Sequence, residues 1–409
     1  MTVTRRSANR KPAEERRQQI LECATELFAL QGFDSTTMDD IARAADITKR
    51  TLYRFVASKE ELLFELHDSF TVRQLFPQTA DDGDPVEMLV AFIARHVQMV
   101  AEHPTAIGVF FGERKHLSEK NARLIERRRD DYESAGVSII RMGIDQGEFV
   151  DVNARVVAQA MLGAMTEMHR WYRPDGPLPV PRIAELTTDL FLRGAAADRG
   201  LALPAAPASP DVKTSTVNSG RQKVVEAATK SFARAGYHAS SIRDLADAAE
   251  ITKGAVMYHA HYKHDLLEEI HRETYKDSIA QLQSALRRVS TDPVTMLVAL
   301  IRSHTEFVAA RRDAIAVINE NMRYLEPTAH RSIDKLNVRW VGIFRDVIEA
   351  GIDSGQLRPL DAGLMTRTLI GMFNSAARWY NPAGRLSPAD LADIFARLFM
   401  LGLLPSERT

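Results

Sequence analysis

The densest group of side chains able to do chemistry is Thr48, Lys49, Arg50 and Thr51, with Tyr53, Arg54 and Lys59 after it and Thr36 and Thr37 before it. Arginine can bond bidentately to a guanine edge and lysine can reach a base or a phosphate, so Arg50 and Lys49 suit sequence reading. Tyr53, Arg54, Lys59, Thr36 and Thr37 suit contacts to a nucleic-acid backbone, which set register without reading sequence. On this division Arg50→Ala costs discrimination, whereas Lys59→Ala weakens binding to every duplex alike. Ser240, Ser241, Thr252, Lys253, Gly254, Tyr258, His259 and Lys263 repeat the group in reduced form. No reactive constellation competes with it. The chain has no GxGxxG after a strand, no GxxxxGK[ST], no HExxH and no GxSxG, and His96, His103, His116 and His169 are scattered without metal spacing. Neither an enzyme nor a cofactor is expected.

Short helices must position these residues. Ile20, Ala24, Leu27 and Phe28 recur at helical spacing and Gly32 supplies a stop. Thr37-Met38-Asp39-Asp40 has the hydroxyl-then-carboxylate pattern of a capping box, and Ser241-Ile242-Arg243-Asp244 repeats it. The second helix therefore starts near 38 and runs to Ala45, Asp46-Ile47 form a turn, and Thr48 caps a further short helix reaching about Phe55. Two short helices across a tight turn make a helix-turn-helix, closed by small Ala42 and Ala45 among apolar Ile41, Ile47 and Leu52. Ser58-Lys59-Glu60-Glu61 is a capping box for the helix that follows.

The whole arrangement occurs twice. Residues 17–66 align without gaps to residues 221–270 at an offset of 204, pairing Glu22 with Glu226, Phe28 with Phe232, Gly32 with Gly236, Asp40 with Asp244 and Lys59 with Lys263. The second halves align at an offset of 208, GIDQGEF with GIDSGQL and MHRWYRPDG with AARWYNPAG. Between the copies, residues 195–219 lose helical periodicity and gather Ala, Pro and Ser, which reads as a linker. The expected organisation is all-α: a helix-turn-helix domain with a basic arm over 1–70, a helical bundle over 71–194, the linker, a second helix-turn-helix over 220–275 and a second bundle over 276–409. Each bundle reads as five or six amphipathic helices, with Pro85 and Pro293 at starts and Pro104 at a break.

At this point the residues resemble the TetR/AcrR family, whose DNA-binding signature, roughly I-A-x-x-A-G-V-S-x-G-T-x-Y-x-x-F-x-S-K-E-x-L, stands here as IARAADITKRTLYRFVASKEEL. The resemblance implies DNA contacts at Thr48, Tyr53 and Lys59. Asp46 replaces the turn glycine, and aspartate tolerates left-handed backbone. The second copy, LADAAEITKGAVMYHAHYKHDL, departs further, with Glu250 in the turn, Met257 for the tyrosine and Tyr262 for the capping serine. It reads either as a DNA-competent head or as a structural or protein-interaction remnant. Disrupting the first recognition helix is expected to abolish specific binding and disrupting the second to weaken it.

In the family resembled, the later helices enclose a small-molecule effector and the last two make a four-helix dimer interface. The stripe Val156, Val157, Ala160, Met161 and Ala164 suits such a face, as do its counterparts Leu364, Met365, Thr368, Leu369 and Met372. Arg170-Trp171-Tyr172 and Arg378-Trp379-Tyr380 resemble a cluster of the acyl-coenzyme-A-sensing subset, which makes an acyl-CoA thioester a candidate effector; otherwise they anchor turns between helices. The repeats could pair inside one chain as a pseudo-dimer, or two chains could form a homodimer.

Composition agrees with a regulator that meets double-stranded DNA. The net charge is -1, but Arg5, Arg6, Arg10, Lys11, Arg16 and Arg17 concentrate positive charge at the start, and Arg5, Arg6, Arg10 and Lys11 read as an arm for salt-sensitive phosphate or minor-groove contacts, or as an arm without a role. Cys23 is the only cysteine, which excludes an intrachain disulfide or thiolate zinc cluster and reads as a buried small residue. No apolar run spans a bilayer and no secretory pattern opens the chain, so a cytoplasmic location without membrane contact is expected.

Overall fold

A computed structural model of the chain describes residues 13–74, 83–194, 200–204 and 220–402. Arg5, Arg6, Arg10 and Lys11 lie outside the described residues, as does most of the linker. Among the described residues the secondary structure is helical, and no helix is long and apolar enough to cross a membrane. The first repeat comprises α1 (Ala13–Gln31), α2 (Met38–Ala44), α3 (Lys49–Leu52), α4 (Lys59–Gln74), α5 (Pro85–Glu102), α6 (Pro104–Gly112), α7 (Glu119–Asp145), α8 (Ala154–Thr166) and α9 (Val180–Arg193). The second comprises α10 (Gly220–Ala235), α11 (Ile242–Ala249), α12 (Lys253–His259), α13 (Lys263–Leu286), α14 (Pro293–Ala310), α15 (Arg312–Asn321), α16 (Pro327–Asp353), α17 (Ala362–Trp379) and α18 (Pro388–Leu401). Each expected proline start is a helix start.

Packing draws different lines from the repeat. One compact unit is Met1–Phe76 with His103–Asp131, and the other is Pro77–Glu102 with Tyr132–Thr409. The first unit thus holds α1 to α4, α6 and the first part of α7. Its core gathers Ile20, Ala24, Phe28, Ile41, Leu52, Leu62 and Leu63, all wholly buried. The buried His67 ring is fixed between the carbonyls of Leu63 (2.8 Å) and Phe110 (3.1 Å), and burial pushes its pKa down to about 4. Cys23 is half-buried, less enclosed than its spacing suggested, and burial raises its thiol.

The second unit contains the contact that organises both repeats. The apolar stripe of α8 and its counterpart on α17 are buried against each other, and α9 and α18 complete the four-helix arrangement. Glycine lets the central pair approach: a Cβ on Gly163 would lie 2.1 Å from the Ser375 side chain, and one on Gly371 2.7 Å from Ala164 Cα. The face read from the sequence as a dimer surface is therefore covered by the other repeat of the same chain.

Both repeats also bury a histidine at matching positions. His96 is held by Tyr132 Oη (2.9 Å) and Thr166 Oγ1 (3.0 Å). His304 meets Ser278 Oγ (3.3 Å) inside a cage of Phe307, Trp340, Phe344 and Phe373. Burial lowers both pKa values to about 3, so each imidazole is neutral at pH 7.

Candidate nucleic-acid interface

The first head is built as its sequence implies. The Thr37 hydroxyl accepts the Asp40 amide (3.1 Å) while the Asp40 carboxylate accepts the Thr37 amide (3.0 Å), a complete capping box. Asp46 takes the turn with φ +52°, left-handed as its substitution for glycine requires. The Thr48 hydroxyl then accepts the Thr51 amide (3.1 Å) and starts α3, which turns Leu52 wholly into the core. The opposite face presents Lys49, Arg50, Tyr53 and Arg54, all exposed. The Lys49 ammonium is paired with Asp39 on α2 (2.8 Å), a hydrogen bond that raises its pKa. No side-chain hydrogen bond or ion pair among the described residues engages Arg50 or Arg54, so these guanidiniums are the cations most available to a duplex.

Four expected contacts are corrected. Thr36 is 1% exposed and its hydroxyl donates to the Gly32 carbonyl (2.8 Å), and Ser240, 2% exposed, donates likewise to Gly236 (2.9 Å). Neither side chain can meet a phosphate from there. Lys59 donates to the carbonyls of Phe33 and Thr36 (2.7 Å to the latter) and lies 4.2 Å from the Phe33 ring centre. Lys263 does the same with the carbonyls of Tyr237 (2.6 Å) and Ser240 (3.1 Å) and the Tyr237 ring. These lysines fasten the helix after the helix-turn-helix to the loop before it. Burial lowers the Lys59 pKa, against the pull of Asp34 and Glu113.

Arg17, one of the cations of the basic start, has partners within the fold. Its guanidinium donates to Glu65 (2.7 Å) and to the Phe55 carbonyl (2.8 Å), clamping the end of the reading segment to α1 and α4. Arg221 repeats the clamp on Glu269 (2.8 Å) and the His259 carbonyl (3.3 Å). Identical aligned residues, Arg17 with Arg221 and Glu65 with Glu269, carried that signal.

The second head keeps the frame and changes the chemistry. Ser241 and Asp244 form a complete capping box, Glu250 occupies the left-handed turn at φ +56°, and Thr252 caps α12. At the following helix the Asp265 carboxylate accepts the Tyr262 amide (2.8 Å), keeping half of a cap despite the lost serine. Gly254 and Ala255 stand where Arg50 and Thr51 do, so no side chain at these positions can bond a base edge. Against that loss, Arg243 stands where Asp39 does. The carboxylate that neutralises Lys49 thus has no equivalent beside Lys253, and both cations are exposed together with Tyr258, which is 82% exposed. Charge reversal at aligned positions was the overlooked sign of this.

The Arg-Trp-Tyr clusters have other partners than a ligand. The Glu167 carboxylate, 3% exposed, takes Arg170 (2.8 Å) and Arg378 (3.0 Å) together, and Arg170 also donates to the Asn319 carbonyl (2.8 Å). Burial, the largest influence, would raise the Glu167 pKa, but Arg170, Arg378 and His169 outweigh it and hold the group down to about 2. The Arg367 guanidinium lies 4.9 Å from the centre of the Trp171 ring, and the Trp379 indole faces Ser375 Oγ (3.4 Å). The Tyr380 hydroxyl closes its turn onto the Leu386 carbonyl (3.0 Å), and Tyr172 is half-buried beside Trp171.

Two family models match the chain, each of them twice. One, described as bacterial regulatory proteins, tetR family, covers 20–66 and 224–270; the other, tetracyclin repressor-like, C-terminal domain, covers 82–195 and 290–403. The HTH-type transcriptional repressor KstR2 of Mycobacterium tuberculosis is 30% identical over 185 residues, 44% of this chain and 92% of its own length. KstR2 of Rhodococcus jostii is 27% identical over 196 residues, 47% of this chain and 96% of its own. Among solved structures, AibR in complex with isovaleryl coenzyme A and operator DNA is 27% identical over 42% of this chain and 96% of its own, with a TM-score of 0.40. The two KstR2 relatives are each matched nearly whole by less than half of this chain, as a duplication demands.

Proposed function

Because the chain belongs, twice over, to the tetR family of bacterial regulatory proteins, we propose that it regulates transcription by binding double-stranded DNA through two unequal heads. The first reads bases and the second grips the backbone. The observation that carries this is the divergence of two frames of the same build: the first offers unengaged Arg50 on α3 and Arg54 just after it, with Thr51, whereas the second offers Arg243 on α11 with Lys253 and Tyr258 on α12, which has a bare Gly254. Guanidinium forks discriminate bases, while cations and hydroxyls beside a side-chain-free helix start hold phosphates.

The repeats pair inside one chain, α8 and α9 against α17 and α18, so one chain carries both heads. The KstR2 relatives are named repressors, and repression is the sense assigned here. Release by a small-molecule effector belongs to the reading as the family's usual arrangement. An acyl-CoA thioester loses its sequence argument, since Arg170 and Arg378 are engaged with Glu167.

The test is selection of binding sites from a random duplex library, followed by salt-dependent affinity on the selected site. Wild type is expected to select an asymmetric site. Arg50→Ala should lose preference in one half with little change in salt slope. Arg243→Ala with Lys253→Ala should lower affinity for all sequences and reduce the slope by about two, one phosphate for each cation removed. A chain with no affinity for random duplex at low salt refutes the DNA reading. A normal slope in the second variant shows instead that the first head binds alone.

A further inference from the structure

The faces that join the two repeats are complementary in a way that like faces could not be. At the offset of 208, Asp189 corresponds to Arg397, Arg358 to Val150, Glu167 to Ser375, Arg170 to Arg378 and Arg367 to Gln159. Across the repeat contact, Arg358 bonds the Asp189 carboxylate (2.5 Å) and the Gly194 carbonyl (3.1 Å). Glu167 holds Arg378 at 3.0 Å and accepts Asn374 at 3.3 Å, while Arg367 covers Trp171.

Substituting counterparts shows what other pairings would bring. Two second repeats face to face would set Arg358 against Arg397, and two Arg378 side chains against serines in place of Glu167. Like charges directly opposed and cations buried without a carboxylate both destabilise. Two first repeats would keep Glu167 near arginine, but each Asp189 would face Val150 and each Trp171 a glutamine. They would also leave their own second repeats to the worse arrangement.

We propose that this surface is a one-way code: the α8–α9 face of the first repeat accepts the α17–α18 face of the second repeat of its own chain and rejects a second copy of either. The proposal rests on the intrachain pairing described above and specifies the residues that choose it. Residues 200–204 favour pairing within the chain, because the Pro204 carbonyl is held by Arg302 of α14 (2.5 Å), which also binds Asp393 of α18 (2.7 Å). Pro204 is thus tied to the second repeat beside α18.

The experiment uses the full chain without DNA, so it stands or falls apart from DNA binding. Sedimentation equilibrium over a wide concentration range should give the single-chain mass of 45.7 kDa; a species of twice that mass overturns the proposal. A charge-swap cycle then tests the code. Asp189→Arg and Arg358→Asp should each lower the thermal midpoint, and the latter, which replaces the like-charge opposition to Arg397 between second repeats by an attraction, should also produce concentration-dependent self-association. The double variant D189R/R358D should regain most of the lost midpoint and return to the single-chain mass. Midpoint losses that simply add in the double variant overturn the code even if the chain is monomeric. An intact cycle in a chain that shows no affinity for DNA counts against the DNA reading alone.

Discussion

Replacing Glu167 by glutamine removes a charge while keeping nearly the same shape, and the structure sets how much this should matter. The carboxylate is 3% exposed and serves two guanidiniums from different repeats. Its pKa is held at about 2 against an ordinary 4.5, because Arg170, Arg378 and His169 together outweigh the burial that alone would raise it. At 1.36 kcal/mol per unit that difference corresponds to about 3 kcal/mol favouring the ionised group in the folded chain. The Arg170 side chain is 38% exposed, so solvent screens its share, whereas Arg378 at 22% is better shielded. The expected loss in Glu167→Gln is therefore about 2 kcal/mol at pH 7, within the range for breaking a largely buried ion pair.

The sign with pH is a second check on the same group. A depressed carboxyl contributes fully above its unfolded value of 4.5 and loses that contribution as pH falls toward 2. Urea unfolding of wild type and Glu167→Gln, followed by helix content at stepped pH, should show a gap that is constant above about pH 5 and narrows below it. Equal urea midpoints at pH 7, or a gap that does not narrow with acid, would refute the assignment of Glu167 as the charge that binds the repeats.

Three further outcomes are expected. Lys59→Met should lower the thermal midpoint of the first unit by the equivalent of about 2 kcal/mol, from lost carbonyl bonds and the ring contact, and leave the salt slope of DNA binding unchanged; a reduced slope without destabilisation would restore Lys59 to the phosphate contacts. Glu250→Gly should stabilise by about 1 kcal/mol, since φ +56° strains a glutamate, and Asp46→Gly by less; unfolding midpoints compare the two. The buried His96 and His304, with pKa values lowered to about 3, contribute stability above pH 6.5 that is lost as pH falls toward 3. His304→Gln should therefore be less stable at pH 7 but lose less on acidification to pH 4, and parallel wild-type and variant curves would show the imidazole is not the titrating group.

Local features were legible because their causes are local. The capping boxes at Thr37 and Ser241, the left-handed Asp46, the proline starts at Pro85 and Pro293 and the break at Pro104 involve neighbours within a turn of chain. The apolar stripe of α8 was legible by periodicity, though not the fact that α17 would cover it. What escaped notice lies between residues far apart in sequence. Lys59 looked like a phosphate ligand because nothing near it in the chain announces the Phe33 and Thr36 carbonyls. Arg17 counted only as one more charge of the basic start because Glu65 and Phe55 are remote. Arg378 looked like a ligand residue because its partner, Glu167, belongs to the other repeat, whereas the i,i+3 pairing of Arg170 with the same carboxylate was local and was overlooked. A cation's role depends on which acceptors the fold brings to it, and composition cannot supply that.

The asymmetry of the heads and the asymmetry of the joining faces have one physical origin. In a symmetric dimer every substitution enters twice and must be compatible with itself across the axis. A charge introduced beside the axis then meets its own copy, so Arg397 and Arg358 could not arise on one such face without opposing each other. Fusion of two units into one chain removes that constraint, since a substitution in one repeat meets only its counterpart in the other. Glu167 can then serve two arginines while serine occupies the matching position, and Asp189 can bond Arg358 with no reciprocal pair. The same freedom acts at the heads. Gly254 can replace the residue that corresponds to Arg50, and Arg243 the one that corresponds to Asp39, without altering α3. On the proposed function, the same freedom lets one head specialise in reading and the other in holding.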